Sequence, residues 1–403
     1  MRMIGLRCTF AMFFLLLACP SWGAEVSGRS STQALWFSND FYDRRQVELA
    51  EYLRLSIFNI DQAGKFSIHG YGRGTVDLLN GDGLNGRLYY LYGSVNDLYG
   101  KIDMRIGRQF VNLSAGSAII DGGQFDLKNI GPIGLTVLGG RDVIFGLDGE
   151  LSHAGDYALG VAAHLAGFRK TDLEVSWFRK WDEDDISRDV LGATFKQYVF
   201  NTIRLYGNAR FDLVTETFNE VLGGVKYFPT ANLILTGEWY QSYPLFDTTS
   251  FYSAFAVDRY QEGVFRFDYT FNELFSINAG YTYEDFDEDA HAHVYQIGCA
   301  VRPIEPLLVN VEYDNRQGYF GSTNGIIAEA AYDVGKELQL AGGVTYDVYQ
   351  RDSLSSDEIA RKYWGGAKYR MAKNLAASLR IEDDVNARYH ENLQGRFILD
   401  YDF

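Results

Sequence analysis

Cysteine is nearly absent from this chain of 403 residues, which holds only Cys8, Cys19 and Cys299. The first two lie in an N-terminal stretch that reads as an export signal, so Cys299 stands alone in the mature chain. One thiol makes no internal disulfide, and no zinc or haem-attachment spacing exists. Proline is scarce too, at 6 residues. Beyond the N-terminal stretch no run approaches the ~18 consecutive apolar residues of a membrane-crossing helix. Helical repeats, low-complexity tracts and linkers are missing, so nothing divides the chain into domains. Basic residues are outnumbered, 37 against 53 acidic ones. Losing Arg2 and Arg7 with the signal leaves 35 against 53, a formal −18, which excludes nucleic acid as a partner. What abounds is Gly (42), Tyr (28) and Phe (28), a composition of strands and tight turns.

The opening "MRMIGLRCTFAMFFLLLACPSWGAE" carries Arg2 and Arg7, an apolar run from Thr9 to Ala18, and small residues at Ser21 and Gly23. This is the order of a secretory signal, with cleavage after Gly23. Leu16 to Cys19 also spells a lipoprotein box, which Pro20 argues against. The expected organisation is a signal peptide at 1–23 and one domain at 24–403.

Down that domain one pattern recurs. In "LFSINAGYTYED", Phe275, Ile277, Ala279, Tyr281 and Tyr283 fall on one strand face and Ser276, Asn278, Thr282 and Glu284 on the other. "FRFDYTF", "LVNVEYD", "NLAASLRIE" and "NTIRLYGNARFD" read the same way. A soluble sandwich also alternates. Here, however, the polar faces carry charge at nearly every position, and Trp177, Trp239, Tyr227, Tyr332, Tyr346 and Tyr401 gather near strand ends, as interfacial girdles do. Alternation over ~10 residues, repeated without helices, is the pattern of strands that cross an outer membrane. Only a closed sheet satisfies every backbone group in hydrocarbon. The fold class is therefore all-β: a transmembrane antiparallel up-and-down β-barrel of about 18–22 strands, with short periplasmic turns and longer outer loops. The last strand, "LQGRFILDYDF", ends on Tyr401 and Phe403, which resembles the recognition end of outer-membrane barrel proteins. That resemblance implies outer-membrane lipid and the barrel-assembly machinery as partners.

Counting back from the C-terminus, the tight turns fall at "RMAKN", "DVGKE", "RPIEP", "FNEL", "FPTAN", "YVFN", "GFRKTD", "NDLYGK" and "IDQAGK". The count reaches 22 if "TQALWFSND" is a first ascending strand and "IGLTVLGG" and "DVIFGLDGE" are separate strands, and drops to 18 or 20 otherwise. At ~22 strands a lumen is wide enough to need a plug. The one long candidate is 112–132, "NLSAGSAIIDGGQFDLKNIGP", expected to fold back into the lumen with Asp121, Asp126 and Lys128 as constriction residues; the competing reading is a surface loop or a further hairpin. Arg108 falls on the lipid side by parity unless Gly107 carries a bulge, and it sits where it can anchor that segment.

The inward face is expected to carry Arg73, Asp77, Lys101, Asp103, Arg105, Arg204, Arg210, Glu238, Arg266, Asp268, Glu312, Asp347, Arg380, Glu382, Arg396 and Asp400 as pore-lining residues. Their charges nearly cancel, so no strong ionic selectivity follows. No metal or cofactor is expected: His291 and His293, near Asp287 and Asp289, read as solvated loop residues. His69 and His164 have no serine and acid placed to make a hydrolase of them, so an enzyme is not expected.

"YLRLSIFNIDQAGKFSIHGYGRG", "GRQFVNLSAGSAIIDGG" and "NIGPIGLTVLGGRDV" resemble porin-type barrels of anaerobic metal-reducing bacteria, some of which are barrel halves of porin–cytochrome conduits. The N-terminal CxxC of some conduit barrels is missing here. Two functions stand from this reading. One is a porin-like channel giving small hydrophilic solutes a polar path across the outer membrane. The other, implied by the resemblance, is a sheath around a multihaem cytochrome. An infolded loop in a narrower barrel favours the first; 20 or more strands around an open lumen favour the second.

Overall fold

In a computed structural model, the described residues are 23–39, 44–81, 83–146, 149–243, 259–287, 290–319, 321–350, 356–387 and 390–403. The expected signal peptide lies outside them apart from Gly23. Twenty-two strands follow one another. The first half comprises β1 (Glu25–Asn39), β2 (Arg44–Phe58), β3 (Phe66–Asp77), β4 (Asn85–Leu98), β5 (Ile102–Leu113) and β6 (Gly116–Ile130). Next come β7 (Ile133–Asp142), β8 (Tyr157–Phe168), β9 (Thr171–Asp182), β10 (Asp185–Val199) and β11 (Ile203–Asp212). The second half runs β12 (Thr217–Thr230), β13 (Leu233–Ser242), β14 (Tyr260–Asn272), β15 (Phe275–Asp285), β16 (His291–Ile304) and β17 (Leu307–Gly318). It finishes with β18 (Ser322–Val334), β19 (Leu338–Gln350), β20 (Glu358–Ala372), β21 (Leu375–Val385) and β22 (Leu393–Asp402).

Each strand pairs antiparallel with the next, and β22 returns to β1 from Arg29↔Asp402 to Trp36↔Gly395. The sheet is closed. At the junction Arg29 grips Asp402 with Nε at 2.6 Å and Nη2 at 3.0 Å, and Phe403 exchanges backbone hydrogen bonds with Gly28 at 2.8 and 3.1 Å. The terminal phenylalanine thus belongs to the closing seam.

Period two sorts the side chains. Leu135, Val137, Val161, Leu191, Phe265, Ile297, Ile326, Leu379 and Phe397 lie exposed on the outer face, a belt that suits hydrocarbon rather than water. Cys299 faces outward with its partners Ile277 and Val311. Polar residues alternate to the interior.

The total of 22 is reached by a different route from the sequence count. Of "DVIFGLDGE", Asp142 ends β7, and the other described residues form only an isolated bridge, Phe145↔Glu150. The missing strand is β6, inside the segment expected to be a loop. Not every outer connection is long: "KWDEDDISRD" is nearly all strand, with β9 and β10 separated only by Glu183 and Asp184.

Candidate functional site

The hydrophobic centre of this molecule lies inside the barrel. Val111, Leu113, Ala115, Ala118, Ile120, Leu138, Ala158, Ala162, Phe178 and Val190 form one buried cluster. Register explains how. β4 pairs with β5 only from Leu98↔Ile102 to Leu91↔Arg108, and β6 pairs with β7 only as far as Ile120↔Asp142. β5 and β6 stay paired with each other beyond those points, to Leu113↔Gly116. The top of the β5–β6 hairpin therefore leaves the wall and turns into the lumen.

Glycines make the bend. Gly107, Gly122 and Gly140 stand in register across β5, β6 and β7. A Cβ at Gly140 would meet Asp121 O and Gly122 Cα at 2.6 Å, and one at Gly107 would come within 2.9 Å of Tyr92 Cα. Gly107 also has φ +128°, a region L side chains rarely adopt. Gln109, fully buried, closes the inside of the bend by donating to Arg105 O and Gly122 O at 3.3 Å each.

The tip, Ser114 and Ala115, reaches β9, β10 and β11 farther along the wall. Ser114 N donates to Glu174 Oε1 at 2.6 Å, and Ala115 N to Ser176 Oγ at 2.8 Å. Ser114 Oγ and Ser176 Oγ lie 2.7 Å apart. Arg210 Nε donates to Ser114 O at 2.8 Å while its Nη1 holds Glu220 at 2.8 Å. Backbone sits on backbone at Gly192, where any Cβ would overlap Ala115. Gly116 leaves room for Phe178, whose ring would stand 2.6 Å from a Cβ there, and Gly160 does the same for Leu113 at 2.7 Å. Alternation persists along the hairpin: Val111, Leu113, Ala118 and Ile120 face the wall, while Phe110, Asn112 and Ser117 are exposed to the lumen.

Behind the bend, the outer face holds a charge network. Arg108 grips Asp121 through Nε and Nη2, both at 2.7 Å, and reaches Glu150 at 3.0 Å and Leu88 O at 3.3 Å. Arg141 approaches Glu150 at 3.7 Å. From the inner face Arg87, in register with Arg73, bonds Gly146 O and stacks on Phe145, 5.7 Å from the ring centre. Residues 143–146 and 149–151 thereby cover the gap that the departing hairpin leaves beside β4.

On the side of the tip toward the tight turns, a cavity of about 740 Å³ opens between hairpin and wall, lined among others by Asn112, Glu174, Lys196, Arg204 and Arg210. Arg204 Nε is buried there without a hydrogen-bond partner among the described residues.

The expected lining residues fall as follows. Arg73, Asp103, Arg105, Arg204, Arg210, Glu238, Arg266, Asp268, Glu312, Asp347, Arg380, Glu382, Arg396 and Asp400 all share the interior face by register. Many are paired: Arg266 with Glu238 at 3.4 Å, and Arg380 with Glu382 at 3.0 Å. Asp77 points inward but is consumed at the strand end, accepting from Gln46 Nε2 at 3.1 Å and from Leu79 N at 3.0 Å. Lys101 is a correction, because it lies in the β4–β5 turn and not on the wall.

The constriction assignments change too. Of 112–132, only the part before Ile120 is in the lumen; the rest is wall strand. Asp121 sits on the outer face with Arg108. Asp126 faces inward but lies on the wall, accepting from Thr136 Oγ1 at 2.6 Å. Lys128 is at the tight-turn end, 2.8 Å from Asp103. The contacts that hold the hairpin against the wall are instead made by the tip and its dock: Ser114, Ala115, Ser176, Phe178 and Gly192. The signal for them was the loss of alternation in "GLTVLGG" and "YALGVAAHLAG", where inward Leu138, Ala158, Gly160 and Ala162 are as apolar as their outward neighbours. His293 meets Tyr281 OH at 2.9 Å through Nδ1, and Asp289 lies outside the described residues.

No protein-family model matches the chain, and no curated protein matches it in sequence. Solved structures do match in shape. OccAB2 of Acinetobacter baumannii is 10% identical, with 94% of this chain and 98% of that one covered and a TM-score of 0.51. A BenF-like porin from Pseudomonas fluorescens is 12% identical over the same shares, with a TM-score of 0.50. OccAB4 of Acinetobacter baumannii is 10% identical, also over 94% and 98%, at 0.50. At such identities the likeness is one of fold: a closed all-β barrel of the outer-membrane kind.

Proposed function

We propose that this protein is an outer-membrane channel that passes small hydrophilic solutes through a lumen narrowed by the β5–β6 hairpin. The observation that carries the reading is the docked tip. A segment held by Glu174, Ser176 and Arg210 on one side and by the Arg108 network on the other is a built constriction, and its lumen face offers Asn112 and Ser117 to water. The apolar outer belt and the porin-like fold support residence in the outer membrane. Interior charges of both signs share the wall and several are paired, as Arg266 is with Glu238 and Arg380 with Glu382, which suits a wetted wall of weak ionic preference. Planar-bilayer recording tests it. Purified protein should conduct, and deletion of residues 111–118 should raise the single-channel conductance; an unchanged conductance would remove the hairpin from the permeation path.

A second reading keeps one observation in its favour. The wall has 22 strands, on the wide side for a free-standing pore, which suits a sheath around a multihaem cytochrome of the kind implied by the resemblance to barrels of metal-reducing bacteria. Co-purification from native membranes followed by haem staining separates the two.

A further inference from the structure

A row of rings descends the inner wall beside the point where the hairpin leaves it. Phe145, on the segment covering the gap, stands 5.8 Å from Tyr89. Tyr89 lies nearly parallel to Tyr71, 24° apart with centres at 5.1 Å. Tyr71 continues to Tyr90 at 5.6 Å, Tyr90 to Tyr92 at 5.7 Å, Tyr92 to His69 at 5.1 Å and His69 to Phe58 at 5.3 Å. Tyr52 flanks Tyr71 at 6.4 Å and 23°.

Register puts this row inside. Tyr52 pairs with Arg73, Tyr71 with Arg54 and Tyr90, and His69 with Ser56 and Tyr92, whereas Leu49, Leu53 and Leu91 occupy the exposed outer face of the same strands. Tyr89 joins the row because the β3–β4 register slips between Tyr71 and Gly72. The slip places two successive β4 tyrosines against one partner ring. The row runs from Phe145 and Tyr89, in the outer part of β4, to Phe58, the last residue of β2 before the tight turn, and so descends most of the wall. Guanidinium groups border it: Arg73 lies over Tyr52 at 5.9 Å, and Arg54 sits opposite Tyr71.

A single stacked pair needs no function beyond packing. Seven rings in unbroken succession along a polar lumen repeat like the platforms on which proteins carry chains of ring-bearing units, one unit after another. Aromatic faces attract the C–H face of a pyranose ring, while phenol hydroxyls and guanidinium N–H groups meet its hydroxyl rim. We propose that this row is a sliding track for linear oligosaccharides, and that the solutes of the channel include them. The proposal rests on the channel reading given above and names its substrate class.

The test uses maltohexaose as the probe, with benzoate as the single-ring anionic control. In planar bilayers maltohexaose should block the current reversibly, and Y71A/Y90A should raise the half-blocking concentration about tenfold. Y71F/Y90F, which keeps the ring faces, should stay close to the wild type. Block by maltohexaose that is indifferent to Y71A/Y90A would overturn the track, as would tight block by benzoate with none by maltohexaose. Calorimetry in detergent keeps the two readings apart. A protein that fails to conduct yet binds maltohexaose in a Tyr71- and Tyr90-dependent way sinks the channel and keeps the track. One that conducts and shows neither binding nor block sinks the track alone.

Discussion

Gly192 is the position where a small change has the most to say about the hairpin. A Cβ there would overlap Ala115 N, Ala115 Cα and Ser114 C, all backbone atoms with no rotamer to escape into. Two magnitudes decide what happens next. Lifting the tip uncovers Val111, Leu113 and Phe178, now 1%, 5% and 0% exposed; at about 1.5–3 kcal/mol for each such side chain, undocking costs roughly 5–9 kcal/mol. Overpacking by one methyl costs about 1–3 kcal/mol. The methyl loses. Gly192→Ala should therefore leave the hairpin docked but shifted, with conductance little changed and current noise raised. Gly192→Trp asks for far more room than a shift can supply, so the tip should leave the wall and the conductance should rise. Deleting residues 111–118 from the tryptophan variant should then add nothing further. Heat-modifiable gel migration verifies that each barrel remains folded. A tryptophan variant with wild-type conductance, or one that gains further when the hairpin is removed, would refute the docking argument.

Arg108→Met removes the guanidinium that bridges Asp121 and Glu150 and leaves only the more distant Arg141, 3.7 Å from Glu150, beside them. Given the partial exposure of both acids, leaving them facing each other should destabilise the bend by about 2 kcal/mol. Hydrogen exchange at 109–119 should speed up by roughly thirtyfold, whereas protection elsewhere in the wall stays put. Cys299, between Ile277 and Val311 on the outer face, should resist a membrane-impermeant maleimide in intact membranes and react once the barrel is boiled in detergent; ready labelling in place would reverse the β16 register. In the β2–β3 turn, Asp61 Oδ1 accepts from Phe66 N and Lys65 N, both at 2.7 Å. These hydrogen bonds, Phe66 first, hold the Asp61 carboxyl below the usual carboxylate range. A depressed folded value means the turn's extra stability is present above the ordinary aspartate range and is lost as pH falls through the folded value. Proteolytic nicking within 59–65 should accordingly rise in acid for the wild type, and Asp61→Asn should be nicked to the same extent at every pH.

Period-two alternation carried most of the fold, because it reports only which face a residue takes and a lipid-facing wall makes that contrast stark. The closing strand, the near-turns and the inward set from Arg204 to Asp400 were legible for that reason. Alternation says nothing of whether a strand stays in the wall. β6 alternates poorly: Ile119 and Ile120 are adjacent, and Gly122 and Gly123 have no side chain to sort, so its residues read as loop. Asp121 and Lys128 were misplaced for the same reason, since a loop has no parity to fix a direction. Arg108 fell on its outward parity, and its partners could be known only once the hairpin's departure had brought Glu150 over the gap. The ring row on β2 to β4 hid in plain alternation, because "RLYYLY" gains its continuity from a register slip that no single strand records.

The departure of the hairpin does two things to the lumen at once. At the tight-turn end the wall contains all 22 strands. Past Arg108 and Asp121, β5 and β6 have left it, and 20 wall strands remain with residues 143–146 and 149–151 laid into the gap. Barrel diameter grows roughly linearly with strand number, so the wall tapers by about a tenth at the level where the extracted hairpin also occupies the interior. Taking strands out of a sheet exposes edges, and edges in hydrocarbon are forbidden. Here the edge of β4 is met by Arg108 at Leu88 O, and the covering segment is pinned by Arg87 at Gly146 O. The same arginine that anchors the constriction thus helps satisfy the wall it came from, which couples closure of the seam to docking of the tip. A substitution that frees the tip without touching Arg108 should widen the lumen and keep the barrel sealed; one that removes Arg108 loosens both.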